Sequence, residues 1–522
     1  MSQQKESKAA GDGRDLAGRF LDSVLWSWLP VVCNLFTGLV LTPYLIRRLG
    51  DDRFGVWGLS LSFLEFASFF DLGLRSAVVN QASRLNATGQ RDGVVDVINT
   101  ALAYFIAVGL AVISAVWLLH GEAHVFFRVR DEFARDFDLL ILLVGFAMGS
   151  SLMAAPFSGT LEALGEFRVV NQNQAVMALL RIVATAAALY LGYGLLTIGV
   201  LVVGAQVATY ILNWMSLKRV LPGLQISPRR ANWGRFKEMA GFGLSSLLAN
   251  VALVFLNQGP LSMIKRLGVG EAFVGYYAAP LRLFTYGTDA ISRIGFVTSP
   301  STASMEARGE REQVIRMGMY LNRYCFALFL PLSMYLWFWG TEFLRRWLGE
   351  GFAVEGGPLL PPFIVAYAVA LSGQFNSSSM LFGMAKHRAY AVILIIEATL
   401  LAVGIWNIWP VYGLVGVAYC VSGLMLLSRG MATPWLLCQY LGFSFWRYWL
   451  SIYTRPLLAA APVAIVAWWL SAGPLRGSNW MELAAAAGLT SVLFLVTGLA
   501  LVPEGEHRLR LWQMVASRLG WA

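Results

Sequence analysis

The sequence predicts an all-α polytopic membrane protein of about fourteen spans, built as two repeated six-helix lobes followed by two further helices. Three observations carry that expectation. The 522 residues are 57% hydrophobic and only 13% charged, with a mean hydropathy of +0.61, whereas soluble domains carry about 25% charged residues. Apolar runs separated by short polar breaks recur from Leu21 to Val502. Finally, the chain repeats itself at an offset of roughly 220 positions, and an internal repeat in a membrane chain points to a transporter architecture.

The repeat is read from a series of matches in the same order. Ile46-Arg47-Arg48-Leu49-Gly50 pairs with Ile264-Lys265-Arg266-Leu267-Gly268 at an offset of 218 (264 − 46). Phe54-Gly55 pairs with Val274-Gly275, and Asn86-Ala87-Thr88-Gly89-Gln90-Arg91 with Glu306-Ala307-Arg308-Gly309-Glu310-Arg311, both at 220. Residues 161–168 pair with 381–388, and Tyr193-Gly194-Leu195 with Tyr412-Gly413-Leu414. The glycines at 50 and 268, and at 55 and 275, are expected to serve matched turns at the outer mouth of the two lobes, because glycine alone accepts φ > 0 or close backbone approach without cost.

Each apolar run reads as one span, since roughly 20 residues at 1.5 Å per residue cross the hydrocarbon layer. The spans are placed at 22–46, 54–75, 94–119, 138–160, 171–191, 195–217, 237–260, 272–299, 317–340, 359–384, 389–409, 412–437, 456–472 and 481–502. The breaks at 192–194 and 410–413 are so short that each implies a tight helical hairpin. The domains follow: an N-terminal tail (1–21), an N-lobe (22–217), a basic linker with two prolines (218–236), a C-lobe (237–438), two extra helices (439–502) and a tail (503–522) with an amphipathic pattern. Six spans per lobe, an even number, predict a pseudo-two-fold axis along the membrane normal and a cleft between the lobes.

Basic residues concentrate in alternate loops, above all Lys218, Arg219, Arg229, Arg230, Arg235 and Lys237. The positive-inside rule then puts both termini in the cytoplasm and the loop at 121–136 outside. That loop is charged in both signs and shows no obvious fold. The segment before Leu21 lacks the basic n-region and cleavage site of a signal peptide, so the first span is expected to be retained. The net charge of +10 is explained by topology and not by nucleic acid. Cys33, Cys325, Cys420 and Cys438 lie in or at the ends of apolar runs without metal-ligand spacing and are expected as free thiols. No Cys/His cluster, P-loop or Gly-x-Ser-x-Gly elbow occurs, so no cofactor and no enzymatic centre is expected. The tryptophans near span ends, such as Trp337, Trp339, Trp406 and Trp409, read as interfacial belts.

Ionisable groups at bilayer depth cost about 2.5–3.5 kcal/mol each by insertion scales, so each is a functional candidate. The second span holds Glu65, Asp71 and Arg75; its repeat partner, the eighth, holds Arg282, Asp289 and Arg293. At ~100° per residue Arg282, Tyr286, Asp289 and Arg293 form one stripe. Arg181, Arg323 and Glu397 are further intramembrane charges, and Asn250, Asn257 and Gln258 add polarity to the seventh span. Asp71–Arg75 and Asp289–Arg293 have i,i+4 spacing and are also readable as neutralised pairs, and Arg75 as a side chain reaching the headgroups. Arg282 has no acid three or four positions away, which makes it the leading anion-binding candidate. The expected substrate-binding set is Arg282, Arg293, Arg75, Arg181 and Tyr286, and the expected ion-coupling set is Asp71, Asp289, Glu65 and Glu397.

Pro43, Ile46-Arg47-Arg48-Leu49-Gly50, Phe54-Gly55 and Phe70-Asp71-Leu72-Gly73-Leu74, with the Gly194 and Gly413 hairpins, resemble the Wzx-like polysaccharide flippases of the multidrug/oligosaccharidyl-lipid/polysaccharide exporter superfamily. The likeness covers residues 20–440 in layout and is specific around 43–75. It implies a V-shaped, two-lobed transporter with a cationic cavity. Its partners would be a polyprenyl-pyrophosphate-linked glycan, membrane lipid and H⁺ or Na⁺, with association with a polysaccharide polymerase a further expectation. Its site would be a bacterial inner membrane. Two alternatives stand beside it. A multidrug exporter of organic cations would favour unpaired acids over arginines in its charged spans. A membrane glycan polymerase or ligase would favour a long outer loop, which this chain does not have.

Overall fold

The structure is a computed structural model that describes residues 37–64, 67, 70, 74–87, 89–222, 224–267, 270–384 and 386–504. Every regular element among them is helical. The helices are α1 (Thr42–Leu49), α2 (Asp51–Ser62), α3 (Leu74–Ala87), α4 (Arg91–Leu119), α5 (Ala123–Phe126), α6 (Asp131–Ala163), α7 (Phe167–Tyr190), α8 (Leu195–Val220) and α9 (Trp233–Arg266). They continue as α10 (Glu271–Ala307), α11 (Arg311–Leu348), α12 (Leu360–Leu371), α13 (Ser378–Gly383), α14 (His387–Met425), α15 (Thr433–Leu441), α16 (Phe445–Ala472) and α17 (Trp480–Leu501). Nine helices among the described residues are long and apolar enough to cross a membrane. One of these, Arg388–Leu441, has 54 residues, about 81 Å of helix and more than one crossing needs.

That long element folds back on itself. Gly413 sits at φ 55°, ψ −146°, a region reserved for glycine, and a methyl added at Gly404 would lie 2.5 Å from the Cys420 sulfur on the returning arm. The hairpin expected at 410–413 is therefore present. Its partner is the turn between α7 and α8, where Gly192 has φ +83° and Asn173 Nδ2 donates to Asn213 Oδ1 across the two arms at 2.9 Å.

The repeat is visible in backbone detail. After α3, Gly89 has φ +72°; after α10, Gly309 has φ +73°. The Gly89 amide donates to Asn86 O (3.0 Å) and Gln90 to Leu85 O (2.9 Å); the Gly309 amide donates to Glu306 O (2.9 Å) and Glu310 to Met305 O (2.9 Å). Both are the left-handed glycine stop that satisfies the last carbonyls of a helix. α4 and α11 then start at equivalent residues, Arg91 and Arg311.

Two compact units divide the chain: Met1–Val254 with Gly270–Ala272, and Phe255–Val269 with Phe273–Ala522. Their boundary falls inside α9. In the first unit, α4 and α6 cross at Gly109 and Gly149, where a methyl on either would come within 2.7 Å of the other's carbonyl oxygen. Small residues of this kind replace hydrophobic collapse as the packing device in lipid. Val97, Ala101 and Phe105 of α4 fill the core with Val144 and Leu152 of α6 and Leu74, Ala77 and Val78 of α3. In the second unit α11 is central. A methyl on Gly340 would lie 2.6 Å from Leu360 of α12, and one on Gly287 of α10 would lie 2.7 Å from Phe329.

Several expectations change. Among the described residues of the second predicted span, α2 ends at Ser62, Phe63, Leu64 and Ala67 are in tighter 3₁₀ geometry and Phe70 is in a turn. The tenth expected span does fall in one continuous helical stretch, Phe352–Gly383, which carries a π-helical turn at Ser372–Ser377 between α12 and α13. The loop at 121–136 does fold, because Phe127 packs edge-on against Phe63 (5.1 Å) and Phe137 (6.1 Å) and Asp138 accepts from the His124 amide (3.1 Å). Trp339 is not a belt residue; it is 1% exposed and its indole donates to the Leu475 carbonyl. Cys325, Cys420 and Cys438 are free thiols. Cys33, Gly268 and the tail beyond Glu504 lie outside the described residues.

Candidate functional site

Several of the charged side chains singled out in the sequence are paired, and the pairing is mostly non-local. Arg75, near the start of α3, extends Nη2 to Glu162 Oε1 at 2.6 Å. Glu162 lies in the last turn of α6, so the pair joins two helices. The i,i+4 alternative cannot be compared, because Asp71, like Glu65, lies outside the described residues. Arg323 is 2% exposed; its Nη1 lies 2.8 Å from Glu504 and its Nε donates to Ser451 O at 2.7 Å. Arg455 of α16 meets the same carboxylate at 3.2 Å. A carboxylate just past the end of α17 thus bridges two arginines, from α11 and α16.

Glu397, expected as an ion-coupling group, is buried against Arg429. Its Oε2 accepts from Ser428 Oγ at 2.6 Å and from Arg429 Nε at 3.2 Å, and each of the two charged residues is 4% exposed. The π-helical stretch Leu426–Ala432 positions both donors; an extra residue per turn re-aims side chains, a device common at functional positions. Arg429 was not recognised as a candidate. It sits within a span otherwise apolar, and its partner stands on the other arm of the Gly413 hairpin, so no local spacing signals it.

On α10 the stripe survives in part. Arg282 and Asp289 are exposed and Tyr286 is half-buried between them. Arg282 forms no hydrogen bond or ion pair among the described residues; the Tyr286 hydroxyl, one turn along, is its electrostatic neighbour. The side chain of Arg293 lies outside those described. Arg181 is half-buried on α7. Arg282 stands three turns into the helix that begins at Glu271, or about 17 Å along the axis. A guanidinium with no carboxylate partner among the described residues can take two oxygens of a phosphate group through two parallel hydrogen bonds.

A fourth charged node was missed entirely. Arg130, in the turn between α5 and α6, pairs with Asp52, donates through Nε (2.8 Å) and its own amide (2.9 Å) to Glu271, and lies 3.4 Å from Glu132. The hydrogen bond to Asp52, with the charge and bonding of Glu271, raises the pKa of Arg130 above its ordinary value, so it stays charged.

Comparison with known proteins agrees with this architecture. The profile of a family described as "Polysaccharide biosynthesis protein" matches residues 20–305, more than half of the chain. A Shigella flexneri protein named "Putative O-antigen transporter" is 21% identical over 403 residues, covering 75% of this chain and 91% of the relative. Among solved structures, lipid II flippase MurJ in an inward closed conformation superimposes with a TM-score of 0.68 at 12% identity, covering 91% of this chain and 97% of that one. An inward-facing multidrug-resistance MATE transporter of the MOP superfamily gives 0.67 at 14% identity, covering 80% and 98%. The fold is that of these transporters, and the chain belongs to the polysaccharide biosynthesis protein family.

Proposed function

We propose that the protein is a flippase that carries a polyprenyl-pyrophosphate-linked oligosaccharide, with undecaprenyl as the carrier, from the cytoplasmic to the periplasmic leaflet of a bacterial inner membrane. Membership of a polysaccharide-biosynthesis family supports the reading, as do the transporter name of the Shigella flexneri relative and the MurJ-like fold. The observation that carries it is Arg282. Arg75, Arg323 and Arg429 each have a carboxylate partner, whereas Arg282 has none among the described residues and is exposed about 17 Å along a helix of membrane-crossing length.

A pyrophosphate and a hydrated glycan cannot enter hydrocarbon unaided, because each unpaired polar group costs several kcal/mol there. In this reading Arg282 holds the pyrophosphate by a bidentate bond, with Tyr286 beside it and Arg293 as a weaker contributor. The polyprenyl chain stays in lipid while the site opens to each side in turn. Asp289, which is exposed where Glu397 is buried against Arg429, is the better candidate for coupling to H⁺ or Na⁺. Both termini are cytoplasmic in this scheme.

Arg282→Ala and Arg282→Lys, measured for protein level and for surface glycan, test it. A charge-assisted hydrogen bond contributes about 1.5–3 kcal/mol, so Ala should cut export tenfold or more and leave lipid-linked units on the cytoplasmic leaflet. Lys should fall between, keeping the charge and losing the planar fork. Normal export by well-expressed Arg282→Ala would exclude the assignment.

A further inference from the structure

The Arg130 node joins the two copies of the repeated turn, and that carries an inference the anion site does not. Asp52 follows Gly50 in the first copy; Glu271 follows the matching glycine in the second, at an offset of 219 (271 − 52). Both carboxylates converge on one guanidinium, all three residues lying in the first compact unit. The loop is built to deliver it. Arg128 has φ 51°, a conformation that costs a non-glycine residue about 1–3 kcal/mol and persists only where its surroundings impose it. This kink turns Val129 into the core, at 6% exposure, and sends Arg130 onto the acids. Glu271 is almost fully buried, yet Arg130 is half exposed and reachable by solvent. Gly55, a glycine in both copies, lets the chains touch: a methyl there would lie 1.8 Å from Glu271 O.

We propose that Arg130 is a charge latch. It holds the acids of both copies of the repeated turn in the state seen in this structure, and it releases Glu271 during each transport cycle. A pair meant only for rigidity gains little from leaving the cation half exposed, whereas a latch needs one partner that water can reach and re-solvate when the bond opens. The carboxylate left behind has the first turn of α10 around it, whose free amides favour a negative charge. That keeps the opened state accessible.

The latch rests on the transport reading, so its test uses two readouts on the full-length protein. The first is hydrogen exchange of the purified protein at segments 48–56, 126–132 and 270–276; the second is surface glycan per molecule of protein in cells. Arg130→Ala and the isosteric Glu271→Gln should speed exchange in the three segments tenfold or more. Export per molecule should fall at least fivefold at normal protein levels, with Arg130→Lys intermediate in both. Faster exchange with unchanged export would make the node a static brace, and unchanged exchange would remove it altogether; either result overturns the latch. If the wild type itself exports no glycan, the transport reading fails, while the exchange data still decide whether the three segments open together.

Discussion

Glu397 and Arg429 allow the coupling role of a buried carboxylate to be separated from a structural one. The structure places both charges at 4% exposure, with Ser428 Oγ and Arg429 Nε on the same carboxylate oxygen at 2.6 and 3.2 Å. Solvent screening is therefore minimal, and the Arg429→Met variant leaves a buried carboxylate with the Ser428 hydroxyl but without its cation. Breaking a buried pair from one side costs about 3–5 kcal/mol. Ser428→Ala, which removes one hydrogen bond to a charged acceptor, should cost about 1.5–3 kcal/mol. The double variant Glu397→Leu/Arg429→Met removes both charges, and replacements of that kind range from neutral to stabilising by about 1–4 kcal/mol. Unfolding in one detergent, followed by denaturant or heat, gives the cycle. The singles should fall well below wild type and the double should recover most of the loss. A double variant as unstable as either single would show that the pair is not self-contained and would refute the reasoning. Glycan export then decides the chemistry: a stable double variant that still exports removes Glu397 from the ion-coupling set, and one that folds and does not export keeps it there.

Two further outcomes follow from the first unit. Asn99, buried on α4, donates Nδ2 to Gln225 O at 2.9 Å and accepts from Ser227 N at 2.7 Å, so Asn99→Ala should free the linker and speed tryptic cleavage at Arg229 and Arg230 about tenfold, from the ~1–3 kcal/mol cost of unmade bonds; unchanged cleavage would show that the linker is held elsewhere. Gly149→Ala places a methyl 2.5 Å from Ile113 Cγ1 and 2.6 Å from the Gly109 carbonyl and should lower the melting temperature by an overpacking cost of about 1–3 kcal/mol, whereas Gly58→Ala, with nothing within 4 Å, should be neutral or slightly stabilising. Equal effects at the two glycines would contradict the close crossing of α4 and α6.

What the sequence made legible is what leaves a local trace. Gly89 and Gly309 are readable as a repeat because a left-handed helix stop admits little besides glycine, and the structure gives the two turns the same φ and the same hydrogen bonds. The Gly413 hairpin is legible for the same reason. Arg282 was legible through an absence, the lack of an acid three or four residues away, and it remains unneutralised among the described residues. Pairing across helices leaves no such trace. Glu162, Glu504 and Arg429 each stand at a span end or inside an apolar run, and their partners, Arg75, Arg323 and Glu397, are all remote in the chain. A periodicity argument sees only neighbours three or four apart, so it does not reach partners such as Glu162 or Arg429, 87 and 32 residues away from Arg75 and Glu397. The loop at 121–136 is the extreme case. Nothing within it specifies a fold, because the groups that order it, Phe63, Asp52 and Glu271, all come from elsewhere in the chain. Yet two of those groups occupy matching places in the repeat, so the duplication that was legible from the start also marks where Arg130 binds.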